Sequence, residues 1–150
     1  MKFRNVIEND RSTLTKIAVD ILEPIYGNQN RAISEWISGQ GYKHAYALVS
    51  DEDEIMGLLV LKMNPIKTYI KISTFIVVEK YRKHYGVSNM LLDKAFDVLS
   101  KSNFLDIIVT ISRTREDALI FFIRNGFCLI ARQPDKYIKG DTELVFLAIR

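Results

Sequence analysis

The chain has 150 residues, of which 48% are hydrophobic and 26% charged, and this composition predicts one globular domain with a sizeable core. Its formal net charge of +3 is compatible with an anionic ligand but too small to indicate a nucleic-acid partner. Cys128 is the only cysteine, which excludes a disulfide framework within the chain, and no Cys/His spacing suits zinc, so we expect no metal.

The ends and the apolar runs of the sequence predict a cytoplasmic protein without a membrane partner. The first residues lack the apolar stretch of a signal peptide. The longest apolar runs, such as 58–61 and 75–78, are far too short to span a bilayer. A lone cysteine agrees with a reducing compartment.

The N-terminal third predicts one strand and two helices. Residues 2–8 form the strand, and Asp10 is placed to cap the first helix. Pro24 and Gly27 interrupt that helix, and a second short helix ends at Gly39. The apolar residues at helical spacing are Leu14, Ile17, Ala18, Ile21 and Leu22 in the first helix and Ala32, Ile33, Trp36 and Ile37 in the second.

The middle of the chain predicts a sheet. Strands over 46–49 and 55–61 are joined as a hairpin by the acidic turn 51–54, and a third strand runs over 69–78. Strict alternation places Lys71 and Ser73 on one face of the third strand. The opposite face would carry Ile70, Ile72, Thr74, Ile76 and Val78.

The last part of the chain alternates helices with strands. A helix over 87–101 precedes a buried strand over 107–111. Thr114 opens a second helix with a capping-box-like pattern, and Gly126 suits its C-terminus. Closing strands follow over 127–131 and 144–149. A hairpin-rich first half followed by strand–helix–strand–helix–strand predicts a mixed α/β sheet.

The junction between the third strand and the helix over 87–101 is suited to binding phosphate. The strand stops abruptly at Val78 and gives way to a cationic loop over 80–85. Gly86 then allows close approach of the backbone, and the helix N-terminus offers unpaired N–H groups with positive partial charge. The strand–loop–helix segment therefore predicts an anion site.

Two segments of the sequence resemble the GNAT superfamily of acyl-CoA-dependent N-acyltransferases. The run 83–88 resembles the family's phosphate loop, Arg/Gln-x-x-Gly-x-Gly/Ala, with Lys83 and Ser88 as departures. A register starting at Arg82 fits less well, because it moves Gly86 off a glycine position. Later, Arg115 to Ala118 and Gly126-Phe127 resemble the family's Asn-x-x-Ala helix and Gly-Phe pair.

The resemblance implies a mixed, mostly antiparallel α/β (α+β) sheet of about six to seven strands flanked by about four helices, in a single domain over 1–150. It also implies an N-acetyltransferase that uses acetyl-CoA, or a longer acyl-CoA, and an amine acceptor. A backbone N–H near the strand end would polarise the thioester carbonyl. The cofactor-binding residues that it implies are Ile76, Val77, Val78, Lys83, His84, Tyr85, Gly86, Val87, Ser88, Arg115 and Phe122.

The proton-transfer residues are not carried over from the family. Phe122 occupies the position of the tyrosine that often acts as the general acid in the family, and Thr110 occupies the position where some relatives have a glutamate base. Glu79 is the first candidate base and Tyr85 the candidate acid. The remaining substitutes are His84, Tyr137 and Cys128, and we expect Cys128 to be a core residue rather than a nucleophile.

The acceptor is not specified by the sequence. Trp36 and Tyr26 are candidates to line its site, although Trp36 fits core packing better, and His44 is expected at the surface. The alternative function is a non-catalytic acyl-CoA-binding regulatory module of the same fold. A monomer and a homodimer both remain open.

Overall fold

Seven strands form one mixed sheet in the computed structural model, which describes residues 1–83 and 86–149. In chain order they are β1 (Lys2–Asn5), β2 (Lys43–Val49), β3 (Ile55–Lys62), β4 (Tyr69–Val77), β5 (Asp106–Ser112), β6 (Cys128–Pro134) and β7 (Thr142–Ile149). Within the sheet they lie in the order β1-β2-β3-β4-β5-β7-β6. β4 and β5 are parallel, whereas the other neighbouring pairs are antiparallel.

Helices cover both faces of this sheet. The α-helices of the described residues are α1 (Arg11–Ile21), α2 (Glu23–Tyr26), α3 (Asn30–Ser38), α4 (Val87–Ser100) and α5 (Glu116–Arg124). Four of them have nine or more residues, and α2 is a single turn. The predicted mixed α/β sheet, its strand number and its helix number are therefore confirmed.

The two faces of the sheet bury two separate apolar clusters. Leu91 and Leu99 of α4 pack on one face, with Ile70 of β4 and Ile107 of β5. Leu14 of α1 and Trp36 of α3 pack on the other face, so the core role expected for Trp36 is confirmed. We call these the α4 face and the α1/α3 face.

A β-bulge at Ser73 corrects the predicted faces of β4. Val60 of β3 pairs with Thr74, but its neighbour Leu61 pairs with Ile72, which leaves Ser73 as an extra residue. Consequently Ile72 lies in the α4-face cluster and Ile76 in the α1/α3-face cluster. Strict alternation was wrong here because one inserted residue reverses every side chain that follows it.

Asp10 holds the chain at the start of α1 in a different way from the predicted cap. It occupies the N-cap position, but its carboxylate makes no side-chain capping bond to the helix. It instead accepts two hydrogen bonds from Arg4, at 2.8 and 2.9 Å, and one from the Ile7 N–H at 2.8 Å. Asp10 thus ties β1 to α1 through a bidentate ion pair.

Strand β6 is an edge of the sheet, and this position corrects the expectation for Cys128. The cysteine is exposed, as are the neighbouring Leu129 and Ile130. An edge strand with one uncovered side explains why an apolar run is not buried here. His44 on β2 is exposed, as expected. In the described ranges, no helix combines the length and apolar character needed to cross a membrane.

Candidate functional site

The N-terminus of α4 lies at the end of β4 and closely approaches the sheet. Gly57 of β3 permits this approach, because a Cβ there would lie 2.9 Å from Val87 Cγ1 and 3.1 Å from Leu91 Cδ1. Val87 is buried in the α4-face cluster, which anchors the first turn of the helix. The side chain of Val87 therefore packs in the core, and its backbone N–H is what remains for ligand binding.

Gly86 takes the conformation that this junction requires. It is the N-cap of α4, with φ 63° and ψ 24°, in the left-handed region where glycine carries no Cβ penalty. Its carbonyl accepts from the Met90 N–H, the first bond of the helix. The N–H groups of Val87, Ser88 and Asn89 have no carbonyl one turn before them, as at every helix start. They are suited to bind an anion.

The cations of the loop differ in how they are held. Lys80 Nζ lies 3.3 Å from a carboxylate oxygen of Glu54 in the β2–β3 turn, so this lysine neutralises a protein carboxylate. Arg82 donates from Nε to the Val77 carbonyl at 3.0 Å, which fixes the loop to the end of β4. Lys83 is exposed and has φ 72°. His84 and Tyr85, which were also predicted to bind the cofactor, lie outside the described residues.

Strands β4 and β5 separate as they approach this loop. Their parallel pairing runs from Tyr69 opposite Asp106 to Ile72 opposite Val109 and does not continue beyond those residues. The bulge at Ser73 begins at the same point, and bulges bend the strand that carries them. The C-terminal halves of the two strands therefore border an open wedge rather than a continuous ladder.

The backbone of β4 beyond the bulge alternates between β3 and this wedge. The Val78 N–H donates to the Met56 carbonyl of β3 at 3.0 Å, so it is not free to act on a thioester. The Ile76 N–H, two residues earlier, points toward β3 in the same way, whereas the N–H groups of Phe75 and Val77 point toward the β5 side. Of the predicted backbone donors Ile76, Val77 and Val78, the structure places the Val77 N–H toward the wedge.

An aromatic cluster supports the α4 face of the wedge. Phe122 is only 3% exposed, and its ring centroid lies 5.3 Å from that of Phe75 and 5.1 Å from that of Phe127. Phe121 completes the cluster. A phenyl ring in this packing has no proton to exchange, so the structure gives Phe122 a supporting role under β4.

The start of α5 borders the wedge from β5. Its first residue is Glu116, with Arg115 at the N-cap and no side-chain cap, so the predicted capping box is absent. The reason is that the Thr114 hydroxyl lies 2.8 Å from the Ser112 hydroxyl instead. A cavity of about 390 Å³ is lined by residues 114–118. Arg115, predicted to bind the cofactor, is exposed at this cavity.

A polar cluster occupies the α1/α3 face where the wedge opens. Lys71 of β4 and Thr110 of β5 lie near the Tyr137 hydroxyl. Burial lowers the pKa of the Lys71 ammonium, with Tyr137 opposing this effect. Burial acts to raise the pKa of Tyr137, but the charges of Lys71 and Lys136 and the nearby Thr110 hydroxyl outweigh it, so that this pKa is lowered.

Further along the same face lies a buried carboxylate. Glu143 of β7 is 4% exposed, and it stands opposite Ser112 of β5 on one side and Gln133 of β6 on the other. Burial, together with the charge of Asp141, raises the pKa of Glu143 against the opposing charges of Lys136, Arg115 and Lys71. Its Oε1 and the Oε1 of Gln133 are buried without a hydrogen-bond partner.

Two tyrosines from separate segments border this cluster. Tyr26 of α2 and Tyr137, in the segment between β6 and β7, make an edge-to-face contact with ring centroids 5.5 Å apart. Burial raises the pKa of Tyr26, and the charge of nearby Glu143 acts in the same direction. The structure therefore places Tyr26 beside the polar cluster, and its role in lining an acceptor site stays a prediction.

Sequence reasoning missed Lys71 and Glu143 as site residues. Lys71 was placed on the correct face of β4 but given no role. Glu143 was missed because the last strand was predicted to begin at 144, whereas β7 begins at Thr142. The available signal was a single carboxylate at an inward position of an otherwise apolar strand. Glu79, the predicted base, is exposed in the turn between β4 and the loop.

Solved structures of acetyltransferases have this fold over nearly the whole chain. Arabidopsis thaliana NAA60 matches in complex with a bisubstrate analogue (TM-score 0.84, 19% identity) and with acetyl-CoA (TM-score 0.83, 18% identity). Each match covers 99% of this chain and 97% of NAA60.

Two further structures extend the comparison. A GNAT-family protein from Desulfovibrio desulfuricans matches with TM-score 0.80 and 16% identity, covering 99% of this chain and 98% of that one. A chimera of the spermidine N-acetyltransferase SpeG from Vibrio cholerae and hSSAT matches with TM-score 0.82 and 13% identity, over 99% and 96%. No family model and no curated protein sequence matches the chain.

Proposed function

We propose that this chain, whose fold is that of the GNAT superfamily, is an N-acetyltransferase that transfers an acetyl group from acetyl-CoA to a primary amine by direct attack in a ternary complex. The observation that carries this proposal is the wedge between β4 and β5. A helix start with unpaired N–H groups lies at one end of it, and a polar cluster of Lys71, Thr110 and Tyr137 lies on the opposite face. A thioester and an amine could approach each other there from two sides of one sheet.

The residues at the helix start fit the pyrophosphate of acetyl-CoA. The N–H groups of Val87, Ser88 and Asn89 would donate to phosphate oxygens, and Gly86 leaves the approach open because a Cβ there would meet no atom within 4 Å. Lys83 would add a charge.

The Val77 N–H supports the acyl end of the same proposal. It faces the wedge and would donate to the thioester oxygen as negative charge develops there. The acetyl thioester supplies the activated carbonyl. In the transfer, the amine nitrogen bonds to that carbon, the carbon–sulfur bond breaks, and the thiolate leaves.

Proton transfer is best assigned to Tyr137 with Lys71. An ammonium must lose a proton before it attacks. A lowered pKa makes the Tyr137 phenolate easier to form, and a phenolate can accept that proton, whereas the Phe122 ring cannot. Lys71 would stabilise the phenolate by its charge. The predictions of Glu79 as base and Tyr85 as acid remain competing assignments. Single variants of Tyr137, Lys71, Glu79 and Tyr85 would distinguish the two assignments.

A panel assay tests the proposed function. Purified protein would be incubated with acetyl-CoA and primary amines, and free CoA thiol and acetylated product would be measured together. We expect equal amounts of thiol and acetylated amine. Tight acetyl-CoA binding without product on any amine would instead support the alternative, a non-catalytic acyl-CoA-binding module. A cytoplasmic location remains a prediction, and the choice between a monomer and a homodimer remains open.

A further inference from the structure

Two buried oxygens on the α1/α3 face lack the donors that such groups require. Glu143 Oε1 and Gln133 Oε1 have no hydrogen-bond partner, and Glu143 is 4% exposed. Burying a carboxylate or amide oxygen without a donor is costly, and native proteins rarely leave such groups unpaired. Both side chains sit at directly opposed positions on β6 and β7, so their Cβ atoms are close neighbours.

The surrounding charges leave this carboxylate uncompensated. Lys71, Lys136 and Arg115 act on Glu143 from β4, from the β6–β7 connection and from the start of α5, while Asp141 acts with the opposite sign. None of these cations makes a salt bridge to Glu143 among those described. Among the described residues, no cation therefore neutralises this carboxylate by direct contact.

The distance of Glu143 and Gln133 from Tyr137 indicates what kind of molecule could supply a donor to them. Thr110, which lies near Tyr137, stands opposite Val145, and Glu143 lies two residues before Val145 on β7. Two strand residues span about 7 Å. A molecule whose amine reached Tyr137 would thus place a group some five bonds away beside Glu143.

We propose that Glu143 and Gln133 bind a second amino group of the acceptor, so that the enzyme selects diamines over monoamines. A protonated amine supplies several N–H donors and one positive charge. These complement the two acceptor oxygens, of which Glu143 Oε1 is anionic and Gln133 Oε1 is neutral. Tyr26 lies near enough to Glu143 to be affected by its charge. Because Glu143 is buried, we expect the neighbouring Tyr26–Tyr137 edge contact to open for the ligand, and one contact between two partly exposed rings is weak.

The competing explanation is a pair that needs no ligand. If Glu143 is protonated, its hydroxyl could donate to Gln133 Oε1, and both oxygens would be satisfied internally. In that case Glu143→Gln would leave amine selection unchanged. The inference rests on the proposed acetyl transfer for its substrate, but its binding test does not require turnover.

The test compares 1,4-diaminobutane with butylamine, which differ by one amino group. Binding of each to the protein saturated with CoA would be measured by calorimetry, using wild type, Glu143→Gln, Gln133→Met and the control Glu52→Gln. Glu52 is exposed in the β2–β3 turn, away from this face. We expect wild type and Glu52→Gln to bind the diamine at least about tenfold more tightly, and Glu143→Gln and Gln133→Met to lose that preference.

Either equal binding of the two amines by wild type or a preference that survives in both site variants would overturn the proposal. If transfer occurs, the same preference should appear in KM rather than kcat. If no amine is acetylated, the proposed function fails, but diamine binding still decides the role of Glu143. Thermal unfolding of each variant checks that the fold is retained, and Gln133→Met provides the independent readout if Glu143→Gln does not fold.

Discussion

Lys71 and Tyr137 lie close enough on the α1/α3 face, beside the wedge between β4 and β5, for each to shift the pKa of the other, although 66 positions separate them in the sequence. Both have a lowered pKa: burial disfavours the charged lysine, and the neighbouring cations favour the phenolate. Perturbed pKa values in neighbouring groups are typical of functional sites. This pair is therefore the first target for mutation.

Tyr137→Phe should lower kcat by about a hundredfold or more while leaving acetyl-CoA affinity within about twofold, because only proton transfer is removed. Steady-state kinetics and calorimetry measure the two effects. Tyr42→Phe, which removes the hydroxyl of an exposed tyrosine, serves as the matched control. An unchanged kcat in Tyr137→Phe together with a large loss in Glu79→Gln would return the base role to Glu79.

Lys71→Met should shift the pH dependence of the reaction. The Lys71 charge lowers the pKa of Tyr137, so its removal raises that pKa. If the phenolate accepts the proton, the rising limb of kcat/KM should move to higher pH. A profile of kcat/KM against pH for wild type and variant measures this shift. A limb that stays in place, or moves to lower pH, would contradict the pairing.

Lys83→Glu should weaken acetyl-CoA binding by about tenfold or more, since a cation beside phosphate becomes an anion. Lys67→Glu makes the same charge change on an exposed residue of the β3–β4 connection and should have little effect. Calorimetric titration gives both affinities. Adding salt should reduce the difference between wild type and Lys83→Glu, because salt screens exposed charges. Equal losses in the two variants would exclude a specific phosphate contact.

Gly57→Ala should weaken acetyl-CoA binding from a position outside the site. A Cβ there would meet Val87 Cγ1 at 2.9 Å and the Ile76 carbonyl oxygen at 3.1 Å, so the start of α4 must shift. We expect a loss of unfolding free energy of about 1–3 kcal/mol together with reduced affinity. Val60→Ala, which creates a cavity on the α1/α3 face, should lose stability but keep its affinity. Denaturant unfolding and calorimetry separate the two outcomes.

Much of the fold follows from local sequence signals. The turn at Gly86 and the apolar stripe that begins at Leu91 are short-range features, and the predicted strand–loop–helix junction is confirmed. The bulge at Ser73 was not predictable, because it depends on how β4 pairs with β3 rather than on the local sequence pattern. The ion pair of Lys80 with Glu54 likewise joins distant segments.

The candidate site was harder to predict than the fold. The phosphate loop is contiguous in sequence, whereas Lys71, Tyr137 and Glu143 come from three separate strands or connections. Their proximity depends on the order β4-β5-β7, in which the last strand inserts beside β5. Cys128 was misjudged for the related reason that the same insertion leaves β6 at the edge.

Stability should depend on Asp10 in a pH-dependent way. The hydrogen bonds from Arg4 lower the pKa of this carboxyl. A lowered folded-state pKa adds stability that is present above the unfolded pKa and is lost as the pH falls through the folded value. Asp10→Asn should therefore cost about 2 kcal/mol at pH 7 and much less in strong acid. Urea unfolding at both pH values measures this, with Asp20→Asn as the exposed control.

The central claim is that the wedge and the α4 start bind acetyl-CoA, and calorimetric titration of acetyl-CoA into the wild-type protein tests it most directly. We predict saturable binding at one site per chain, weakened by Lys83→Glu and unaffected by Lys67→Glu. No heat of binding at millimolar acetyl-CoA, from protein that unfolds cooperatively and is therefore folded, would contradict the account.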